Sequence, residues 1–418
     1  MSNKDIINEN NSLIEDFEDN QIDVKGITSS IITNPYGAIT LPYDGGIDLN
    51  SFSRILEDKL SSSYKIFWFF GIYEEIIKGN KYISFRKLVC RMIVGAWYPV
   101  TQYKLSLGIQ DRLYDLVILI HEKYNIPCEI NKNKLLELIE NIEDVEVEKR
   151  IKKLRDYVPY RLLTPFFAKE LALTKDIFKK NDYERNKFIA RLTKEDERAI
   201  YKIDVDNKVI EINDSWYKYI RANQAIICGW MHYNLVCYLQ KRSPNVPAIP
   251  FKITAPGKRD LSKATKLWTE INRDKTVSDI YTGKELTEEN FSNYGNLSID
   301  HFIPWSFVLH DELWNLAPTF KNVNSQKSNK LPELSLYMDK FCEIQYKSFD
   351  LMQRNPKRYK KHLEGYLSIN IAANNERKIE KAEFNQKLKA NIEPLYQIAF
   401  NQGYGVWDKS VYDKIYDN

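Results

Sequence analysis

Through most of the first half of the chain apolar residues recur three and four positions apart, and this spacing predicts a helical bundle or array. Residues 61–78, 84–105 and 109–124 carry the pattern, bounded by Gly79-Asn80, Gly108 and Pro127. Residues 134–155 continue as a charged amphipathic helix, 160–173 as a shorter one, and 216–240 as one long, mostly buried helix. Strict alternation replaces this rhythm in AIYKIDVDNKVIEI, residues 199–212. Its apolar positions flank Asp206-Asn207, predicting a hairpin with a two-residue turn that lacks the usual glycine.

Punctuation along the chain divides it. Residues 1–34 open with an acidic stretch, seven acids against one lysine in the first 24, which reads as a flexible tail. Residues 35–246 form a mostly helical unit for recognition or partner binding, entered through a loop in which Asp48 or Asn50 caps the first helix. The segment SPNVPAIPFKITAPGK carries four prolines and marks a boundary, with the linker placed at 247–258. A small unit over 259–335 follows, and 336–418 is helical again. The fold class expected is mainly α.

Composition narrows the class. A chain of 418 residues with 43% hydrophobic and 13% aromatic content buries a real core and is not a disordered protein. The formal charge of +4 neither requires nor excludes a polyanionic partner, so local clusters carry that question. Five scattered cysteines without a CxxC pair argue against a disulfide framework and against a cysteine-built zinc site. The longest apolar run, residues 66–73, is far short of the roughly 20 residues a membrane span needs. With no secretion signal in MSNKDIINEN, a cytoplasmic location is expected.

The chemistry concentrates in IDHFIPWSFVLHDELWNLAPTFKNVNSQKSNKLP, residues 299–332. Breaking a phosphodiester needs a base for water and a cation for the developing charge. His301 suits the first task near neutral pH. Asp300 and the amide of Asn324 offer oxygens that leave most of an ion's coordination sphere to water and phosphate, which suits Mg²⁺ or Mn²⁺. Alternation over 297–303 predicts a strand, 306–314 a loop, 316–318 a second strand, and Thr319 the cap of a helix running toward Asn329.

The order Asp300-His301, Asn315, Asn324 resembles the motif of HNH endonucleases, a ββα-metal fold shared by colicin nucleases, restriction enzymes and RNA-guided CRISPR nucleases. Tyr281-Thr282-Gly283-Lys284 is similar to the approach hairpin of the CRISPR members, and DHFIPWS with LWNLAPT and NSQKSNKLP to stand-alone bacterial HNH proteins. The resemblance covers about residues 261–331. It implies that Asp300 and Asn324 hold the metal, that His301 is the general base, and that Asn315 braces the loop and the histidine. It also implies DNA as substrate and defence against foreign DNA as the setting, with the chain acting alone, as a homodimer, or as the nuclease subunit of a partner-controlled complex. The other class of explanation is a non-catalytic nucleic-acid-binding protein that retains the fold. Cysteines flanking the core in zinc-bearing relatives are missing, so no structural zinc is expected and packing must supply that support.

Blander readings accompany the remaining candidates. Lys327 and Lys330 either contact phosphate or complement a helix dipole. Arg354, Lys357, Arg358, Lys360 and Lys361 form an acid-free basic cluster, a phosphate-binding surface or a solvated helix face. His310 is expected as an exposed loop histidine, and Trp305 and Trp314 as core. Cys228 and His232, four apart on a helix, are expected to pack rather than to bind metal.

Overall fold

The computed structural model describes residues 41–410 except 58, 59, 61, 110, 179, 180, 258 and 373–376, so the acidic tail lies outside the described residues. Helices dominate, and the only sheets among the described residues have three strands and two.

The helix Tyr64–Ile77 is apolar nearly all round and accordingly sits at the centre of the first unit, with Ile66, Phe67, Trp68, Phe69, Ile72 and Ile76 buried. It packs on Phe85–Trp97, which starts where the Ser84 hydroxyl accepts from Lys87 N. Between these helices lies an ionic cluster in which buried Arg91 reaches Glu75, also buried, and Glu74. The Phe85–Trp97 helix does not run on to 105 as its periodicity suggests. Pro99 has no N–H to donate, and the chain widens into a π turn over Tyr98–Gln102, closed by Tyr103 N on Tyr98 O at 3.1 Å.

Two other long helices are each broken at a polar residue, Asp144 in one and Asn223 in the other. Residues 134–155 divide into Lys132–Glu140 and Val145–Arg155 because Asp144 caps a new start, its Oδ1 accepting from Glu146 N and Val147 N. The stretch 216–240 divides into Asp214–Ala222 and Gln224–Arg242 at Asn223, whose side chain donates back to Tyr219 O. The hairpin forms with strands β2 (Tyr201–Asp204) and β3 (Val209–Ile212), and a third strand, β1 (Tyr82–Ser84), adds antiparallel to β3 with Ile83 opposite Ile210. Its loop has four residues, 205–208, rather than two. Without a glycine the turn is closed by Asn207 on the Asp204 carboxylate, and Lys208 takes the positive φ of 55°.

Residues 243–257 are turn-rich with one 3₁₀ turn at Ile249–Phe251, yet Ile249 and Lys252 are fully buried. Beyond Ser262–Asp274 the chain forms a two-stranded antiparallel sheet, β4 (Leu297–His301) and β5 (Leu316–Phe320), followed by the short helix Lys321–Lys327. Thr319 is not the cap of that helix. It lies within β5 opposite Ser298, and no side chain caps the helix.

The long helix Leu334–Arg354 braces this unit from behind. Phe341 stacks on Phe302 with ring centres 4.1 Å apart, and buried Gln345 donates to Leu316 O at 2.6 Å and to Leu313 O while accepting from Tyr366. The chain near its end returns to the motif: Leu331 N bonds Gly405 O and Trp407 N bonds Leu331 O. Packing and backbone pairing therefore fix the ends of the small unit.

Candidate active site

β4 and β5 are short and fully paired, so the residues at the end of β4 have fixed directions. Asp300 pairs with Ala317 and His301 with Leu316, and the polypeptide leaves the strand directly after the histidine. Asn315 secures that exit. Its Oδ1 accepts from Ile303 N at 2.8 Å, its Nδ2 donates to Ile303 O at 2.9 Å, and its own carbonyl accepts from Phe302 N. Asn315 is completely buried and braces the backbone beside His301 without facing the cleft.

His301 is 5% exposed and lines a polar cleft of about 670 Å³. Its Nε2 lies 2.8 Å from Asp311 Oδ1. An ionised carboxylate only accepts, so Nε2 carries the hydrogen and a neutral ring keeps its lone pair on Nδ1. Asp311 was not singled out in the sequence, although an acid in the loop after a candidate base is the signal to look for. His310, next to it, is not an exposed loop residue: it is partly buried against Trp314, and burial, with His301 nearby, pushes its pKa down to about 4.

Asp300 is 2% exposed and held from two sides. Lys327 Nζ donates to Asp300 Oδ1 at 3.0 Å and to His301 O at 2.9 Å, and Tyr281 donates its hydroxyl to Asp300 Oδ2 at 2.5 Å. The approach turn explains how Tyr281 arrives there. Gly283 takes φ +76°, Asp279 N bonds Lys284 O, and the buried Asp279 carboxylate gathers Thr282 N and Oγ1. Burial raises the pKa of Asp279 above the usual carboxylate range. Burial first, then the Asp300 charge, holds Tyr281 well above the usual tyrosine value, so it remains a donor.

Asn324 lies across from Asp300 on the helix after β5. Its Nδ2 donates to Ser298 Oγ at 2.8 Å and Ile299 O at 3.0 Å, and among the described residues nothing donates to its Oδ1. Asp300, His301 and Asn324 all line the same cleft. Among the described residues no three His, Cys, Asp or Glu side chains cluster, so an ion here would take two protein oxygens, one from Asp300 and Oδ1 of Asn324. Oδ2 takes the Tyr281 hydroxyl and lies 3.0 Å from Lys327 Nζ as well, so Oδ1, which meets Lys327 alone, is the Asp300 oxygen with a lone pair left for an ion. That oxygen-only, half-empty donor set fits Mg²⁺ or Mn²⁺.

Other expected contacts lie elsewhere. Lys327 is fully buried behind Asp300, where it neutralises the carboxylate and does not reach a phosphate in the cleft. Lys330 is exposed and outside the cleft lining. Trp305 is not core: half-buried, it lines the cleft with Arg259 stacked 5.0 Å from its ring, whereas Trp314 is buried as expected. In the basic cluster Arg354 is drawn to Asp350 and Arg358 to Glu270, while Lys357, Lys360 and Lys361 are exposed. Cys228 and His232 are neighbours, with His232 Nδ1 on Cys228 O at 2.8 Å and its ring edge-on to Phe70. The cleft wall also includes Gln102 and Glu129 from the helical half of the chain, which nothing in the sequence pointed to.

Residues 279–333 match the family model described as HNH endonuclease. The chain carries an HNH endonuclease domain. Over 58 residues it is 38% identical to the CRISPR-associated endonuclease Cas9 of Listeria innocua serovar 6a, a match spanning 14% of this chain and 4% of that protein. No solved structure matches. The match takes in the ββα unit with Asp300, His301 and Asn324, and the helical half stands outside it.

Proposed function

We propose that the chain is a divalent-metal-dependent endonuclease that hydrolyses DNA, with His301 as general base. The observation that carries this reading is the placement of the His301 ring in one cleft with Asp300 and Asn324, its Nε2 tied to Asp311 so that Nδ1 is the free basic atom. Asp300 and Asn324 hold the ion, with Lys327 and Tyr281 fixing the Asp300 carboxylate. The chemistry a divalent ion supplies there is neutralisation of charge on the phosphate and the departing 3′-oxygen. Asp311 stabilises the ring once it has taken the proton from water, and Asn315 keeps the strand end from moving. Defence against foreign DNA is the setting proposed, supported by likeness to a CRISPR-associated endonuclease across the motif. A cytoplasmic location belongs to the same reading. No helix among the described residues is long and apolar enough to cross a membrane.

Plasmid, linear and single-stranded DNA should be cut with Mg²⁺ or Mn²⁺, cutting should stop with chelator, and the products should carry 5′-phosphate and 3′-hydroxyl ends. Ends bearing 3′-phosphate would exclude water attack in this geometry. Because Gln102 and Glu129 reach the cleft wall, the helical half is proposed to shape which DNA enters, on its own or under a partner's control.

Lys357, Lys360 and Lys361 are proposed to hold the DNA backbone. Replacing all three with glutamine should weaken binding to every sequence alike, and the slope of log affinity against log salt should flatten by roughly one per lost contact. An unchanged slope would assign them to solvent.

A further inference from the structure

A second concavity, of about 720 Å³, lies in the helical half of the chain and shares no lining residue with the nuclease cleft. It opens between the starts of the helices Tyr64–Ile77 and Arg112–Lys123 on one side and Val145–Arg155 with Asp182–Glu195 on the other. Five cations line it: Lys65, Arg112, Lys153, Arg161 and Arg185. The one acid in the lining, Asp111, is 4% exposed, and its carboxylate is filled by Ser63 N, Ser63 Oγ and Leu113 N at 2.8 to 3.0 Å. It caps the helix Arg112–Lys123 and is one acid against five cations.

Among the described residues no carboxylate lies within ion-pair distance of Arg112, Lys153 or Arg185. Arg161 gives one terminal nitrogen to Asp182, but its Nε is buried without a partner. Like charges collected around a hollow repel one another, and the repulsion is relieved by a bound anion.

The other half of the lining is apolar and aromatic. Leu154 and Val158 are buried beneath it, Tyr64 and Tyr157 stand in its walls, and Arg161 stacks 5.6 Å from the Tyr157 ring. Inorganic phosphate would leave most of this volume empty. A flat heteroaromatic group against the tyrosines together with several phosphates against the cations uses both halves. We infer that this hollow is a binding site for a nucleoside polyphosphate, separate from the DNA-cutting site.

Titration calorimetry of the full chain with ATP and with GTP tests it. Binding should be in the micromolar range, and Lys153→Ala with Arg185→Ala should weaken it by at least about tenfold. Lys153 is exposed and Arg185 half-buried, and neither pairs with a carboxylate among the described residues, so melting temperature and circular dichroism should be unchanged in the double variant. Adenosine and inorganic tripolyphosphate should each bind about tenfold more weakly than ATP, since each fills one half of the hollow. No heat with either nucleotide up to about 1 mM would overturn the inference. Tripolyphosphate binding as tightly as ATP would overturn it as well, in favour of a plain anion site. A single-stranded DNA oligonucleotide that binds more tightly than ATP, and loses its affinity in the same double variant, would make the hollow a nucleic-acid track instead.

Discussion

His301→Ala should lower DNA cleavage by about a thousandfold while leaving fold and DNA binding intact, as expected for removal of a general base. The argument rests on position. His301 is the last residue of β4, it lines the cleft, and its one side-chain hydrogen bond among the described residues is to Asp311. Nothing in the core hangs on the imidazole, so the variant should melt close to the parent protein. Asp311→Asn separates positioning from chemistry. An amide can still meet the ring but brings no charge to stabilise the imidazolium, and a smaller loss of about tenfold to a hundredfold is expected, comparable with losing an orienting partner of a metal-bound side chain. A near-parental rate for His301→Ala in a plasmid-nicking assay would remove His301 from the mechanism.

Much of this site was legible because its parts are close in sequence and each has a distinct chemical type. A strand ending in Asp-His, an asparagine before the return strand and a second asparagine on the next helix are local features, and local structure brings them together. What escaped was the set of contacts made across the fold. Asp311 depends on the path of a loop, and Tyr281 reaches Asp300 through a turn whose geometry is set by Gly283 and Asp279. Gln102 and Glu129 join the cleft only because the two halves of the chain pack together. Lys327 failed as a phosphate ligand for a related reason: helical spacing does not say which lysine points inward, and burial against Asp300 decided it.

The fold shows the same division. Apolar periodicity locates helices well and their ends poorly, since breaks at Asp144, Asn223 and Pro99 are made by one cap, one back-bonding amide and one missing N–H. The hairpin's register followed from alternation, but its loop length depended on the absence of glycine at the turn. The proline-rich stretch at 243–257 contains the expected turns, and its composition gave no hint that Lys252 is buried within it.

Lys252 yields the largest expected effect on stability. Its side chain is fully enclosed, with Nζ donating to Phe307 O at 2.5 Å and lying 5.0 Å from the Phe307 ring, and no carboxylate pairs with it among the described residues. Burial pulls its pKa from 10.5 down to about 7. Below about pH 7 the amine is charged in both folded and unfolded chains, and the folded chain carries a buried cation with no carboxylate partner among the described residues, a penalty on the order of 5 kcal/mol from the size of the shift. Between about 7 and 10.5 the unfolded chain binds the extra proton, so stability rises with pH and the penalty fades. Lys252→Met fills the same space without a charge. It should therefore be more stable than the parent at pH 6, by a margin that shrinks steadily toward pH 10. Loss of the donor to Phe307 O costs about 1 to 3 kcal/mol at every pH, which shifts the whole curve without changing its slope. Urea midpoints of the two proteins at pH 6, 8 and 9.5 decide the matter: a difference that does not vary with pH would mean that Lys252 holds the same charge folded and unfolded.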